Sequence, residues 1–396
     1  MYAAPHYLQV TIVLPFFNLS LLYHVIVLSS HVPKLTDVGI QNLIAVVCFW
    51  GLIYKCIYVS SSTRSKLMRD MIDRLNTKYP IWNAGMGAGI AGPMLASAVS
   101  EAGGLGVLGC GAMQGADVAA MITETKILTK KPIGANIILP MSDGSDVAAC
   151  FDGGVDVLVL FWDDIQPFVK DAHSRGIFIL SQCGSPEDAI RAADAGADGI
   201  IIQGIESGGH VSSSQKLVPN LESIISHVKP LPCIAAGGLS TGAQIKDILS
   251  RGAKAVSLGT RFLATHEANA NDAYKNRLLA SKSEDTVVTK LFDGGWPNAP
   301  HRVIINEDYT TWVANDSPDA PNRPGEDEYI GCITKTDGRE LKLSRYTTMP
   351  AVKDFTGSIE NLPLYAGTSV DNIHTIESVE NLFKILITEM AKAEKY

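Results

Sequence analysis

Beyond residue 78 the chain alternates between two kinds of segment. Short apolar runs rich in Val, Ile and Leu recur at Tyr79–Gly85, Gly104–Gly109, Pro132–Leu139, Val155–Phe161, Gly176–Gln182, Asp198–Gly204, Leu231–Gly237 and Lys254–Gly259. Each is strand-sized and apolar at successive positions, as a strand covered on both faces should be. Between them lie amphipathic segments such as Pro186–Ala195, which opens on proline and is followed by Gly196, the asymmetry expected of helix termini. Strands of this kind separated by helices imply a parallel sheet sheathed by helices. Eight such units predict an α/β fold, a (β/α)8 TIM barrel over residues 71–264, in preference to an open doubly wound sheet. In such a barrel the residues that follow each strand share one rim, and chemistry is expected there.

The two flanks differ from this middle part. From Tyr7 to Ser30 there is no charged residue, and from Ile40 to Val59 the only one is Lys55, so residues 1–70 form an apolar leader with two stretches long enough to cross a bilayer. A cleaved signal peptide fits poorly, because no basic segment precedes the first run. Arg64, Lys66 and Arg69 follow the second run and would place the catalytic part in the cytoplasm if the leader is a membrane anchor. The other reading is a dispensable extension, with Met68 or Met71 as the true start. At the other end, residues 265–396 are expected to form a cap or lid, with a polar, mobile loop at Asn315–Asp327 and a closing helix at Val379–Lys392.

Composition removes several function classes. The chain of 396 residues is 46% hydrophobic and 19% charged, a globular composition. Its formal charge of −8 and its lack of any Lys/Arg cluster argue against nucleic acid as a partner. The seven cysteines are scattered, with no CxxC and no Cys/His pair at metal-ligand spacing, so they read as reduced core thiols and no metal site is expected.

The candidate chemistry sits at the strand ends. The seventh run ends in Gly237-Gly238 and the eighth in Ser257-Leu258-Gly259-Thr260. Adjacent glycines let backbone N–H groups approach an anion, and a following helix N-terminus adds a favourable dipole, so these loops make a phosphate cradle. After the sixth run comes Ile205-Glu206-Ser207-Gly208-Gly209-His210, which places His210 on the functional rim beside a flexible diglycine. An imidazole there can act as a base or as a donor to a developing anion. His173, His227 and His266 fall on or beside outer helices and read as ordinary surface residues. The first run ends in Ala84-Gly85-Met86, a small-residue loop against which a flat ring could lie, while Asn136 and Gln203 are amides able to donate and accept at once. Asp163-Asp164 either binds a cation or faces solvent, and solvent is the simpler reading. His301 and Arg302 reach either a substrate or a neighbouring loop.

These residues together resemble the flavin-dependent nitronate monooxygenases, formerly 2-nitropropane dioxygenases. The resemblance is carried by Leu75–Ile81, Ala102–Gly106, Gln203–His210, Ala235–Gly238, Leu258–Phe262 and Tyr365–Ser369, and covers about residues 71–390. It implies FMN as cofactor, with Ala84, Gly85 and Met86 against the ring, Asn136 and Gln203 on its polar edge, and Gly208, Gly209, Gly237, Gly238, Ser257, Leu258, Gly259 and Thr260 toward the phosphate. It also implies His210 as the active-site histidine. The implied reaction is oxidation of an alkyl nitronate, or of a neutral nitroalkane after proton removal by that histidine, by O2 to a carbonyl compound and nitrite. The chain departs from the family pattern in three places: Gly85 stands where many members have proline, Ser212 where glycine is common, and Phe161-Trp162-Asp163-Asp164 where the turn is usually small. Two other readings stay open: an NAD(P)H-dependent FMN reductase of the enoyl-acyl-carrier-protein reductase type, and a non-catalytic flavin-binding module tethered by the leader.

Overall fold

The computed structural model describes residues 71–334 and 338–393. Eight parallel strands lie in the order β1-β9-β8-β6-β5-β4-β3-β2. They are β1 (Ile81–Asn83), β2 (Gly106–Gly109), β3 (Ile133–Ile138), β4 (Val157–Phe161), β5 (Phe178–Cys183), β6 (Gly199–Gln203), β8 (Cys233–Ala236) and β9 (Ala255–Leu258), with β7 a two-residue strand, Gly209–His210, in the loop after β6. A parallel bridge between Trp82 and Leu105 brings β2 back to β1, so the sheet closes as the expected (β/α)8 barrel.

The continuous apolar runs are explained by two cores on either side of one sheet. Alternate side chains point inward, and Trp82, Leu105, Val107, Val157, Val159, Phe178, Leu180, Ile201, Ile234 and Ala255 fill the barrel together with Met71 and Leu75. Their neighbours in sequence, among them Ile81, Leu108, Leu158, Leu160, Ile179, Ile200, Ile202 and Val256, pack outward against the helices. Leader residues 1–70 lie outside the described residues, and with them the membrane-anchor reading. Among the described residues no helix is long and apolar enough to cross a membrane.

The seam between β1 and β2 is closed by a side chain. Asn83 is fully buried, its Nδ2 donates to the Val107 carbonyl at 2.7 Å, and its Oδ1 accepts from the Val107 N–H at 2.9 Å. The amide thus takes the place of a peptide in a ladder that is otherwise a single bridge. The outer ring is also completed from a distance. Helix Val379–Lys392 packs between Gly242–Ser250, which follows β8, and Pro93–Glu101, which follows β1, and so takes the position of an eighth barrel helix. Gly242 permits this approach, since a Cβ there would lie 2.2 Å from the Leu386 carbonyl oxygen.

Between barrel and closing helix the chain builds two small antiparallel sheets. One joins β10 (Thr286–Thr289) and β11 (His301–Ile304) to β7. The other contains β12 (Tyr329–Thr334), β13 (Glu340–Ser344) and β14 (Phe355–Gly357). The polar stretch Asn315–Asp327, expected to be mobile, is instead tied down. Arg323 is buried within it, donates to the Leu291 carbonyl at 2.8 Å and to Asp293 at 2.7 Å, forks onto Glu326, and lies over the Tyr346 ring. A stretch that reads as polar and loop-like therefore holds a buried cation that ties it to Leu291, Asp293 and Tyr346 outside it.

Replacing Asn83 by Ala orphans the Val107 N–H and carbonyl at the seam, and should lower stability by about 2–4 kcal/mol. Urea denaturation of the variant against wild type checks this; an unchanged midpoint would mean that the seam does not depend on the amide.

Candidate functional site

The strand ends surround an open cavity at the barrel rim. Gly85, Met86, Asn136, Gln203, Gly208, Gly209, His210, Gly237, Gly238, Ser257, Leu258, Gly259 and Thr260 all line it. Ala84 does not; its N–H donates to the Leu258 carbonyl at 2.9 Å and its carbonyl accepts from Met86, so it joins the ends of β1 and β9. Leu258 packs in the outer core, so it meets the cavity through its backbone.

The loop that carries His210 is held from three sides. Gln203 donates from Nε2 to the His210 carbonyl at 2.9 Å and accepts at Oε1 from the Ser212 N–H at 3.0 Å, so its amide staples the loop to the end of β6. From the cap, β11 pairs antiparallel with β7, setting His301 opposite His210 and Arg302 opposite Gly209. The Arg302 guanidinium donates to the Ile205 carbonyl at 3.0 and 3.2 Å and to Thr286 Oγ1 at 3.0 Å. Arg302 therefore serves the neighbouring loop. The diglycine is constrained: Gly209 has φ +75°, and a Cβ on Gly208 would sit 2.4 Å from the Gly367 nitrogen.

His210 lies in an aromatic cage. Its ring centroid is 4.3 Å from that of Trp296, 5.4 Å from His301 and 5.7 Å from Tyr365. Its Nε2 is buried and has no hydrogen-bond partner. Burial, with a smaller contribution from His301, pulls its pKa down to about 3, so the imidazole is neutral at physiological pH. His301 is fully buried, with Nδ1 2.9 Å from the Ala299 carbonyl and Nε2 accepting from the Phe292 N–H at 3.3 Å. Those two bonds assign its neutral Nδ1–H tautomer, and burial holds its pKa at about 4. The surface reading holds for His173, which is exposed and meets Asp198, and for His227 and His266, which are also exposed.

The opposite side of the cavity is built from backbone. Gly237 and Gly238 have φ of +118° and +69°, and a Cβ on Gly237 would lie 2.5 Å from Ser207 Oγ. Gly259 precedes a single turn of helix, Thr260–Leu263, and Thr260 Oγ1 accepts from the Gly367 N–H at 3.0 Å. Thus Tyr365–Ser369, far away in sequence, crosses the cradle, and Tyr365, Gly367 and Ser369 line the cavity. Among the described residues, no Asp, Glu, Lys or Arg lines the cavity. A phosphate here would be met by N–H groups and hydroxyls, as in other helix-terminus and glycine-loop sites.

Sequence reasoning singled out Phe161 but missed the rest of its apolar wall, Ile138, Met141, Met349 and Pro350, and the packing of Tyr274, whose hydroxyl donates to the Tyr365 carbonyl at 2.5 Å. Thr348–Pro350 carry no motif that could have signalled them. The departures have local explanations. A Cβ on Gly85 would fall 2.2 Å from the Asn136 Cβ, which leaves no room for a proline ring. Trp162 and Asp163 take left-handed φ of +63° and +74°, a conformation costly for such residues, and the turn sets Trp162 4.9 Å from Trp296 while Phe161 faces the cavity. The Asp163 and Asp164 carboxylates are exposed and accept local N–H groups before the helix that starts at Gln166. Among the described residues no cluster of His, Cys, Asp and Glu is arranged to hold a metal ion.

Comparison with known proteins agrees with this architecture. A family model described as nitronate monooxygenase matches residues 68–159 and 147–389. The chain is 33% identical over 246 residues to a (3aS,4S,5R,7aS)-5-hydroxy-7a-methyl-1-oxo-octahydro-1H-indene-4-carboxyl-CoA dehydrogenase from Rhodococcus jostii, a match covering 61% of this chain and 66% of that protein. It is 27% identical over 310 residues to a probable nitronate monooxygenase from Staphylococcus aureus, covering 66% of this chain and 84% of the relative. Among solved structures, FabK from Thermotoga maritima superposes with a TM-score of 0.69 at 29% identity, covering 82% of this chain and 96% of its own.

The two caged histidines make stability depend on pH. Above about pH 6.5 both are neutral whether the chain is folded or unfolded, and they add no pH dependence. Below it the unfolded chain takes up protons that the folded chain refuses until about pH 3 for His210 and about pH 4 for His301. Stability should therefore fall on acidification, by about 2 kcal/mol for each histidine at pH 5. Urea unfolding at pH 7 and pH 5 measures the drop, and His301→Asn should remove about half of the histidine contribution.

Proposed function

The chain belongs to the nitronate monooxygenase family of flavin-dependent oxidoreductases, and from that premise we propose that it binds FMN and oxidises preformed alkyl nitronates with apolar chains, using O2. The observation that carries the reading is a buried, neutral His210 at the wall of a cavity lined by no charged side chain. The residues present fit FMN. Glycines whose added Cβ atoms would collide or whose φ is positive leave backbone exposed toward a phosphate, and Ser207, Ser257, Thr260 and Ser369 supply hydroxyls. Met86 and Gly85 offer a flat wall, and Asn136, whose Nδ2 donates weakly to Val159 at 3.3 Å, keeps capacity for a polar ring edge.

When bound, the flavin would carry electrons between nitronate and O2, so that each broken C=N bond is replaced by a C=O bond whose oxygen comes from O2, two nitronates and one O2 giving two carbonyl compounds and two nitrites. The chain's own part is binding, orientation and exclusion of water. Ile138, Met141, Phe161, Met349 and Pro350 take the alkyl portion. His210 meets the nitro oxygens as an uncharged hydrogen-bond donor in a site of low polarity, where such a bond is stronger than in water. A group with a pKa near 3 is a poor base for a carbon acid, because general-base catalysis works best near the operating pH. This favours the nitronate over the neutral nitroalkane as substrate, and hydrogen bonding over proton abstraction as the role of His210.

The deciding experiment is the visible spectrum of the purified protein, followed without oxygen while a short alkyl nitronate is added in excess. The reading expects a flavin spectrum that bleaches with nitronate. Bleaching by NADPH alone would support the reductase reading, and a flavin inert to both would support a binding module.

Two variants sharpen it. His210→Ala should reduce kcat/KM on nitronate by about 10²-fold, as loss of one donor to a developing anion does, with wild-type activity nearly flat between pH 5 and 8. Gly237→Ala forces a side chain into left-handed backbone beside Ser207 and should weaken FMN retention at least tenfold, read by fluorescence of released flavin.

A further inference from the structure

Trp296 lines no part of the cavity, yet it stands against the one titratable rim group that the chemistry needs. Its side chain is almost fully buried, and its ring lies 4.3 Å from that of His210 at an interplanar angle of 33°, close to an offset stack. Behind it, edge-on at 75°, is Trp162, whose left-handed backbone turns the indole toward the cap. The segment is anchored without help from His210. Arg323 holds Leu291 and Asp293, the Gly294 N–H donates to the Tyr346 carbonyl at 2.9 Å, and Thr348 Oγ1 donates to the Gly294 carbonyl at 2.9 Å.

Resting on the function proposed above, we propose that Trp296 is a positioning residue for His210: its ring fixes the plane of the imidazole and seals the buried edge of that ring from water, so that the group meets the nitro oxygens uncharged and in one orientation. The titratable groups on the elements packed around His210 support this. His301 on β11 is held neutral by burial, with its two backbone bonds fixing the tautomer, and the Tyr365 hydroxyl donates to the Thr348 carbonyl. The carboxylates on adjoining segments are engaged elsewhere, Glu206 with the Leu217 N–H and Asp293 with Arg323. Exclusion of water is then what keeps the proton off His210, and Trp296 with Trp162 forms the side of the cage that lies outside the cavity wall.

The test is a histidine ring titration by NMR on the purified protein without substrate, for wild type, Trp296→Phe and Trp296→Ala, with pH profiles of nitronate turnover beside it. Wild type should titrate His210 below pH 4 and show a flat profile from pH 5 to 8. Trp296→Ala should raise the midpoint by two units or more, put a bend in the profile at the new midpoint, and lower kcat/KM at least tenfold at pH 8, where the imidazole is neutral in both proteins. Trp296→Phe keeps a flat ring, and should hold the midpoint below 5 and activity within threefold of wild type. If Trp296→Ala does not fold, Trp296→Leu replaces it, with the same expected rise in midpoint. A folded ring-lacking variant whose His210 midpoint stays within half a unit of wild type would overturn the proposal, as would a Phe variant that behaves like the Ala variant. Because the titration needs no turnover, wild-type protein inert to nitronate would count against the proposed function alone and leave the midpoint to decide the role of Trp296.

Discussion

An imidazole held out of water by a strand that the barrel itself does not contain is the constraint on which this site depends. β11 pairs with only two residues of the loop after β6, yet that pairing sets His301 against His210 and aims Arg302 at the Ile205 carbonyl. A barrel alone would leave the loop on an open rim, in solvent, with a histidine near its ordinary pKa. The cap strand closes it over, and desolvation, with a smaller contribution from His301, then pulls the pKa of the ring down.

The same economy governs the other wall. With no charged side chain lining the cavity among the described residues, the proposed phosphate would be met by hydroxyls and backbone, and backbone can approach only where Cβ atoms are missing. Gly208, Gly237 and Gly367 each stand where a side chain would strike a neighbouring loop, so three loops distant in sequence pack at separations that only glycine allows. An uncharged cavity also suits the small anion proposed as substrate, because hydrogen bonds there are less weakened by competing water.

Cap and barrel share one core in this chain. Helix Val379–Lys392 completes the outer ring from the far end of the sequence, and Val379, Leu382, Phe383 and Leu386 share the core that backs the strands. The segment between is braced by the buried Arg323 and its carboxylate partners, which connect the polar loop to Trp296 and so to the site.

What the sequence determined by itself was whatever repeats locally. Eight doubly buried strands show as apolar runs because both faces need covering, and Gly237-Gly238, Gly259 and the Gly208-Gly209-His210 loop show because they fall just beyond those runs, where a barrel puts its rim. Tertiary structure decided the rest. Asn83, inside the first apolar run, closes the barrel; Ala84, expected against a flat ring, joins two strand ends; Arg323, inside the stretch expected to be a mobile loop, is a buried clamp. Whether His210 is a base or a donor to a developing anion was open in sequence, because a pKa is set by what surrounds a group. Trp296, His301 and Tyr365, brought to it from 86 to 155 positions away, do that only once the chain has folded.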